Sequence, residues 1–271
     1  MSNTNTTLKI AALVLTIGLS GCAMDEAEME LGRTGQEALL MNGLMMNGLM
    51  MNGLMMNGLP ESSLSNNGLD ASINTDMNDR LNDAQDGATY NMLFKYIVRC
   101  AMPAGSTVTY LDDNNVLWTW TGENGLAPEW QTGALSENQQ RAVTSCVLSL
   151  TNGLGQNVAV SQRGLSHQVS VEEVQQWNLT EGGFFGNLWQ GEMFSCSFSN
   201  DYTDPGNGRI CTMTDEFGTS LCNPIEALGL CSDICDVETR SEGGENYTVF
   251  TNCEAPDGTI YAEVTTTALN I

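Results

Sequence analysis

Basic residues and histidine are scarce in this chain. Its 271 residues hold nine lysines and arginines against 33 aspartates and glutamates, and a single histidine, His167. Each shortage excludes a class of function. A formal net charge of −24 leaves no basic surface for phosphate backbones, so nucleic acid is not a partner. Anionic lipid headgroups repel such a domain as well. One histidine, no G-x-S-x-G elbow and no H-E-x-x-H pair leave Ser-His-Asp hydrolysis, Cys-His hydrolysis and zincin chemistry without a motif. A loop position for His167 is the simpler reading. No motif calls for a cofactor. Long apolar runs are also missing. The most apolar stretch, residues 10–19, is half the roughly 20 residues needed to cross a bilayer.

That short run has another use. It follows a polar start containing Lys9 and ends in Leu19-Ser20-Gly21-Cys22. A short apolar core closed by small residues is the pattern of a secretory signal. With cysteine at the cut it reads as a lipobox. Residues 1–21 are then a lipoprotein signal peptide and Cys22 the lipidated N-terminus of the mature chain. An ordinary signal, or a buried helix ending in cysteine, is the plainer alternative. Two or more acyl chains give stable anchoring. Ala23 stands where an aspartate would resemble an inner-membrane retention signal, so the expected location is the cell envelope, at the outer membrane. The mature chain keeps eight basic residues against 33 acidic ones, a charge of −25. This suits a saline habitat, where salt screens self-repulsion, or simply an acidic surface protein.

Beyond Cys22 lie eight cysteines: Cys100, Cys146, Cys196, Cys211, Cys222, Cys231, Cys235 and Cys253. An even set in an exported chain reads as a disulfide framework. The competing reading, a zinc site from Cys222, Cys231, Cys235 and Cys253, lacks the paired C-x-x-C knuckles of structural zinc.

Residues 22–85 read as a lipidated, disordered tether. From Met41 the unit Met-Asn-Gly-Leu-Met recurs to Leu59, echoed at Asn67-Gly68-Leu69. A period of five makes no stripe on a helix and throws successive leucines to opposite faces of a strand. The square coil of pentapeptide-repeat proteins accepts that period, but four units complete only one turn, and stacked repeats need neighbours. The repeat also holds seven of the chain's 15 methionines. Thioethers suit Cu(I), so copper handling is one reading and an adhesive apolar linker the other.

Residues 86–271 have the composition of a globular domain. Tyr90, Leu93, Phe94, Ile97 and Cys100 recur at helical spacing, which predicts a helix near 87–101. Thr107 to Tyr110 and Val116 to Trp120 read as a hairpin around Asp112-Asp113-Asn114-Asn115. Ser136 and Gln139 form a capping box that starts a second helix with the stripe Val143, Cys146, Val147 and Leu150, stopped at Asn152-Gly153. Each helix carries one cysteine on its apolar face, which pairs Cys100 with Cys146. Val158 to Gln162 and Met193 to Phe198 read as strands, and Val171 to Trp177 as a further short element. Gly182 to Leu188 reads as a glycine-aromatic turn and 200–245 as loop-rich. Tyr247 to Asn252 and Thr259 to Thr265 flank a turn at Asp257-Gly258. The expected fold is α+β: a single disulfide-stabilised domain with two short helices and several β-hairpins.

Several segments resemble a recurring type of exported lipoprotein from myxobacteria. They are the Asn-Gly-Leu array, Tyr96-Ile97-Val98-Arg99-Cys100, Gly125-Leu126-Ala127-Pro128-Glu129-Trp130, Cys146 to Gly153, Gln162-Arg163-Gly164, and Glu181 to Leu188. The resemblance spans roughly residues 40–260. It implies an envelope protein and carries no activity with it.

Candidate sites complete the reading. Trp118 and Trp120 share a strand face and are the candidate ligand platform for a sugar ring; a core-facing pair is the alternative. Glu172-Glu173 and Asp215-Glu216 are candidate acid/base pairs for a glycan- or peptide-directed hydrolase. Asp112, Asp113 and Asn115, or Asp201, Asp204 and Asn207, offer oxygen ligands for calcium, although turn-forming roles explain them equally. Asn178-Leu179-Thr180 and Asn246-Tyr247-Thr248 match glycosylation acceptors, which mean little in a bacterial lipoprotein. With no catalytic constellation, the balance favours a lipid-anchored envelope protein with a structural or binding role over an enzyme. Its partners are the membrane, through Cys22, and an envelope protein or glycan.

Overall fold

The computed structural model describes residues 39–42, 44–45, 65, 68–69, 81–83, 87–152, 158–165, 167–199 and 225–270. The signal, Cys22, the repeat from Met46 onward, Cys211, Cys222, Asp201, Asp204, Asn207, Asp215 and Glu216 lie outside the described residues. The described part is α+β and mostly sheet. In chain order its elements are β1 (Leu39–Asn42), β2 (Leu44–Met45), α1 (Gly87–Ala101), β3 (Thr107–Leu111), β4 (Leu117–Thr121), a 3₁₀ turn (Pro128–Gln131), α2 (Glu137–Ser149) and β5 (Thr151–Asn152). Then follow β6 (Val158–Arg163), α3 (Val171–Gln176), β7 (Leu179–Asn187), β8 (Glu192–Ser197), β9 (Glu226–Leu230), α4 (Cys231–Ile234), β10 (Asp236–Glu242), β11 (Glu245–Thr251), β12 (Cys253–Glu254), β13 (Ile260–Tyr261) and β14 (Thr265–Leu269).

A six-stranded sheet in the order β1-β6-β14-β7-β8-β9 forms the frame. The last strand, β14, enters between β6 and β7, antiparallel to both. Adjacent residues of β7 serve opposite faces: Phe184 joins one apolar cluster and Phe185 the other. On the first face lie α1, α2 and the β3–β4 hairpin. The predicted α1 stripe of Tyr90, Leu93, Phe94, Ile97 and Cys100 is buried there, as are Val143, Cys146 and Val147 of α2 and Leu150 at its C-cap. Complete burial stabilises by about 1.5–3 kcal/mol for a Leu or Phe side chain, so these two stripes dominate the fold. Trp130 and Trp189 meet edge to face at 5.8 Å, a favoured aromatic geometry. The capping box forms: Ser136 Oγ accepts from Gln139 N at 3.3 Å, and Ser136 N donates to Gln139 Oε1 at 3.0 Å. The helix then ends at Ser149, three residues before the expected stop. Thr151 Oγ1 bonds back to Val147 O and the backbone turns at once into β5.

Four expectations need correction. Gly182 to Leu188 is not a turn, because Gly182 to Asn187 lie within the nine-residue strand β7. Its glycines serve close approach: a Cβ on Gly183 would sit 3.2 Å from Cys196 Sγ, and one on Gly186 would sit 2.2 Å from Glu192 O. The stretch 200–245, expected to be loop-rich, is mostly regular over its described residues, 225–245, which hold β9, α4 and β10. Tyr247 to Thr251 pairs backward with β10 across Gly243-Gly244, not forward across Asp257-Gly258. The forward turn joins only β12 and β13, and β14 departs to the main sheet, where all five of its residues are buried. Finally, the tether reading does not extend over 39–42 and 44–45. β1 pairs antiparallel with β6, and β2 pairs parallel with β5. Edge pairing uses backbone groups and needs no period in the side chains. Leu69 and Leu81 are likewise buried in the first cluster.

Three disulfides occur among the described residues. Cys100–Cys146 ties α1 to α2. Cys196–Cys231 and Cys235–Cys253 lie on the second face. Cys231 and Cys235 thus belong to separate disulfides, which dissolves the four-cysteine zinc set read from the sequence. No helix among the described residues is long and apolar enough to cross a membrane.

Candidate functional site

The second face of the sheet carries a polar construction. Arg163 ends β6 and is 1% exposed. Its Nε donates to Ser161 Oγ at 3.2 Å, and Ser161 Oγ donates onward to Glu173 Oε1 at 2.6 Å. Nη2 of Arg163 donates to the Trp177 carbonyl oxygen. The guanidinium lies 5.4 Å from the centroid of the Tyr247 ring, within cation–π range. Burial lowers the Arg163 pKa from its usual value while the nearby Glu173 opposes the shift; arginine remains charged under such conditions. A buried cation is thus answered by a buried carboxylate through one hydroxyl.

Local sequence explains how these groups meet. Ser170 caps α3, its Oγ accepting from Glu173 N at 3.0 Å. This places Glu173 in the first turn, facing inward, and Glu172 beside it facing outward. Strand alternation puts Ser161 and Arg163 on one face of β6. The intervening Gln162 is also buried, and its Nε2 donates to Ser149 Oγ of α2. Hairpin β10–β11 is brought against α3 by Gly243, where a Cβ would lie 2.2 Å from Val171 Cγ2. Gln175 Nε2 bridges the two walls to Glu245 Oε1 at 3.0 Å.

Between these walls lies a cavity of about 450 Å³ with Arg163 in its lining. Gln175, Asn178, Thr180, Asn246, Thr248 and the Tyr247 and Phe198 rings also line it. Phe198 is 45% exposed. Tyr247 also borders a second cavity of about 540 Å³, lined by His167, Ser170, Glu172 and Glu242 among others. His167 bonds through Nδ1 to Gly164 O at 3.0 Å, so that nitrogen carries the proton. Its Nε2 is enclosed and has no hydrogen-bond partner among the described residues. Desolvation lowers the His167 pKa, against a weaker upward pull from the Gly164 carbonyl.

The residues singled out from sequence are placed as follows. Trp120 is buried, and its Nε1 donates to Asn91 Oδ1 at 2.9 Å. Trp118 is half-buried, packs on the same cluster and donates to Asp112 Oδ2 at 3.0 Å. This is the core-facing pair and not an open platform. Asp112 is a turn residue: Oδ1 accepts from both Asn114 N and Val116 N at 2.9 Å. Desolvation pushes its pKa up, but the bonds from Trp118, Val116 and Asn114 outweigh it and hold the carboxyl below its usual range. Both oxygens are thereby engaged in holding the turn and the Trp118 indole. Glu172 and Glu173 face opposite ways, one exposed and one buried on Ser161, so they do not form an acid/base pair.

The cleft itself escaped sequence reading. Arg163 and Tyr247 are far apart in sequence and share no motif. The readable signal was Gly243-Gly244 between β-rich runs, which marks a hairpin turn, and a lone arginine closing an otherwise buried strand. Comparison of the chain with protein-family models, curated proteins and solved structures gives no match in any of the three.

Proposed function

We propose that this is a lipid-anchored protein of the bacterial cell envelope, held at the outer membrane through Cys22, whose domain binds a neutral glycan in the cleft over Arg163. The observation that carries this reading is the lining of that 450 Å³ cavity: five amide- or hydroxyl-bearing residues with Tyr247 and Phe198, beside the apolar Val174 and Leu179 and the charged Arg163 and Glu245. Its size falls in the range of small-ligand sites. Amides and hydroxyls donate and accept in the way sugar hydroxyls require, and Tyr247 offers a ring for apolar sugar faces. A neutral ligand suits the charges. The Arg163 cation is already answered by Glu173 through Ser161, and Glu245 stands in the wall. With 33 acidic residues in the chain, long-range repulsion works against polyanions.

Calorimetric titration of the non-acylated chain with a neutral disaccharide of N-acetylglucosamine tests the binding claim. The expected result is saturable heat that disappears in Tyr247→Ala and persists in Trp118→Ala. Absence of heat in the wild type, or its survival in Tyr247→Ala, removes the glycan reading. Palmitate labelling tests the anchor separately: it should vanish in Cys22→Ala, and persistence of label removes the lipoprotein claim.

A further inference from the structure

The two disulfides of the second face do not stand apart. Cys196 Sγ, from one bond, lies 3.8 Å from Cys235 Sγ, from the other. The sulfurs of Cys196, Cys231 and Cys235 all lie within 4.8 Å of one another. Helix α4 is the reason: Cys231 and Cys235 bracket a single turn, with Cys235 N bonded to Cys231 O at 2.8 Å. One turn therefore presents a sulfur from each bond to the same spot. Accessibility is unequal. Cys196, Cys231 and Cys253 are buried, whereas Cys235 is half-buried. The third described disulfide, Cys100–Cys146, belongs to the other apolar cluster.

We propose that Cys196, Cys231, Cys235 and Cys253 form a thiol–disulfide exchange site. Cys235 is the entry for a dithiol reductant, and the Cys196–Cys231 bond is the internal acceptor. The dithiol's first thiolate attacks Cys235 Sγ. The Cys235–Cys253 bond breaks, and its electron pair leaves on Cys253, which takes up a proton. The dithiol's second sulfur then attacks its own sulfur in the mixed disulfide. The dithiol departs oxidised, and Cys235 is left as a thiolate. That thiolate starts at contact distance from Cys196, beside the Cys196–Cys231 bond, and freed from Cys253 it turns about its own Cα–Cβ bond to line up with that bond. It attacks, forms Cys196–Cys235 and expels Cys231, which is protonated in turn. Two electrons enter, one dithiol becomes a disulfide, and the protein holds a new Cys196–Cys235 bond with free Cys231 and Cys253. Exchange of this kind requires an attacking thiolate, a reachable sulfur and a leaving thiol. The cluster supplies all three, with the half-buried sulfur at the entrance.

The test uses the folded wild-type chain. It is treated with one equivalent of dithiothreitol, quenched in acid and labelled with N-ethylmaleimide. Peptide mapping by mass spectrometry follows. The expected outcome is a cross-linked peptide joining Cys196 to Cys235, label on Cys231 and Cys253, and an intact Cys100–Cys146 bond. In the double variant Cys196→Ser/Cys231→Ser, the internal acceptor is gone, and label should stop on Cys235 and Cys253. The intact Cys100–Cys146 bond reports that this variant has kept its helical face. Three results overturn the proposal: label on Cys235 and Cys253 in the wild type with Cys196–Cys231 intact, first reduction at Cys100–Cys146, or exchange into any other pair.

Discussion

The two faces of the central sheet solve the same problem by different means. Among the described residues, the helical face buries a cluster of 29 apolar residues, two of them cysteines. The hairpin face buries a cluster of eight, three of them cysteines. The helices bring dense apolar stripes, so hydrophobic burial is enough to seat them. The β10–β11 hairpin brings less: β11 buries Val249 and Phe250, but six of seven β10 residues are exposed, Val237 among them. It is seated by Gly243 on α3, by the Gln175–Glu245 bridge and by the disulfides at its base. An element attached this way leaves unfilled space, and the cleft over Arg163 is that space.

The contrast is broken most forcefully from within the sheet. Phe184 and Phe185 are neighbours, both fully buried, one serving each face. Replacing a buried Phe with Ala costs about 3–5 kcal/mol, more where the cavity cannot collapse. Phe184→Ala should lie at the upper end of that range and Phe185→Ala at the lower, since the hairpin face can close inward. Urea midpoints of the two variants decide this, and equal losses would mean that both faces are equally rigid.

The disulfides come next. In the chain-entropy account, a closed loop of the Cys100–Cys146 separation, 46 residues, stabilises by about 4 kcal/mol, and one of 18 residues, for Cys235–Cys253, by about 3 kcal/mol. The loops alone therefore rank the helical bond first. The faces rank them the other way for local opening. Cys235→Ala/Cys253→Ala should expose β10–β11 amides to hydrogen exchange while α1 and α2 amides stay protected. Cys100→Ala/Cys146→Ala should lower protection throughout. Uniform loss in both variants would show the faces to be one cooperative unit.

The same contrast explains what was legible in the sequence. Helices α1 and α2 were readable because a single face at 3.6-residue spacing must be apolar, and the Ser136 box announced its own geometry. The β3–β4 hairpin was readable from its Asx-rich turn, although its tryptophans were more committed inward than a platform requires. Strand β7 was not, because glycine signals a turn locally and close packing only in three dimensions. The pairing of Cys196 with Cys231 depends on a sheet register that no local pattern encodes. The cleft depends on it too, since Arg163, Glu173 and Tyr247 come from three elements that converge only after folding.

A smaller effect probes the helical face. Ser136→Ala removes the acceptor for Gln139 N at the start of α2. Loss of such a cap costs about 1 kcal/mol, so a modest drop in Tm is expected. The variant should leave disaccharide binding unchanged, because α2 does not line the cleft.

The finest test sits on the hairpin side and uses pH. Burial holds the His167 pKa below its unfolded value. Between the two values the unfolded chain binds the extra proton and the folded chain does not, so stability rises with pH across that window. The contribution is whole above the unfolded pKa, near 6.5 for histidine, and is lost as pH falls below it through the lower folded value. His167→Gln removes the titrating group. Unfolding free energies measured from about pH 7 downward should therefore fall more steeply in the wild type than in the variant, and the difference should close above the histidine range. Parallel curves would mean that the imidazole is as free to take a proton in the folded protein as in the unfolded one, and that the space around its Nε2 opens to water.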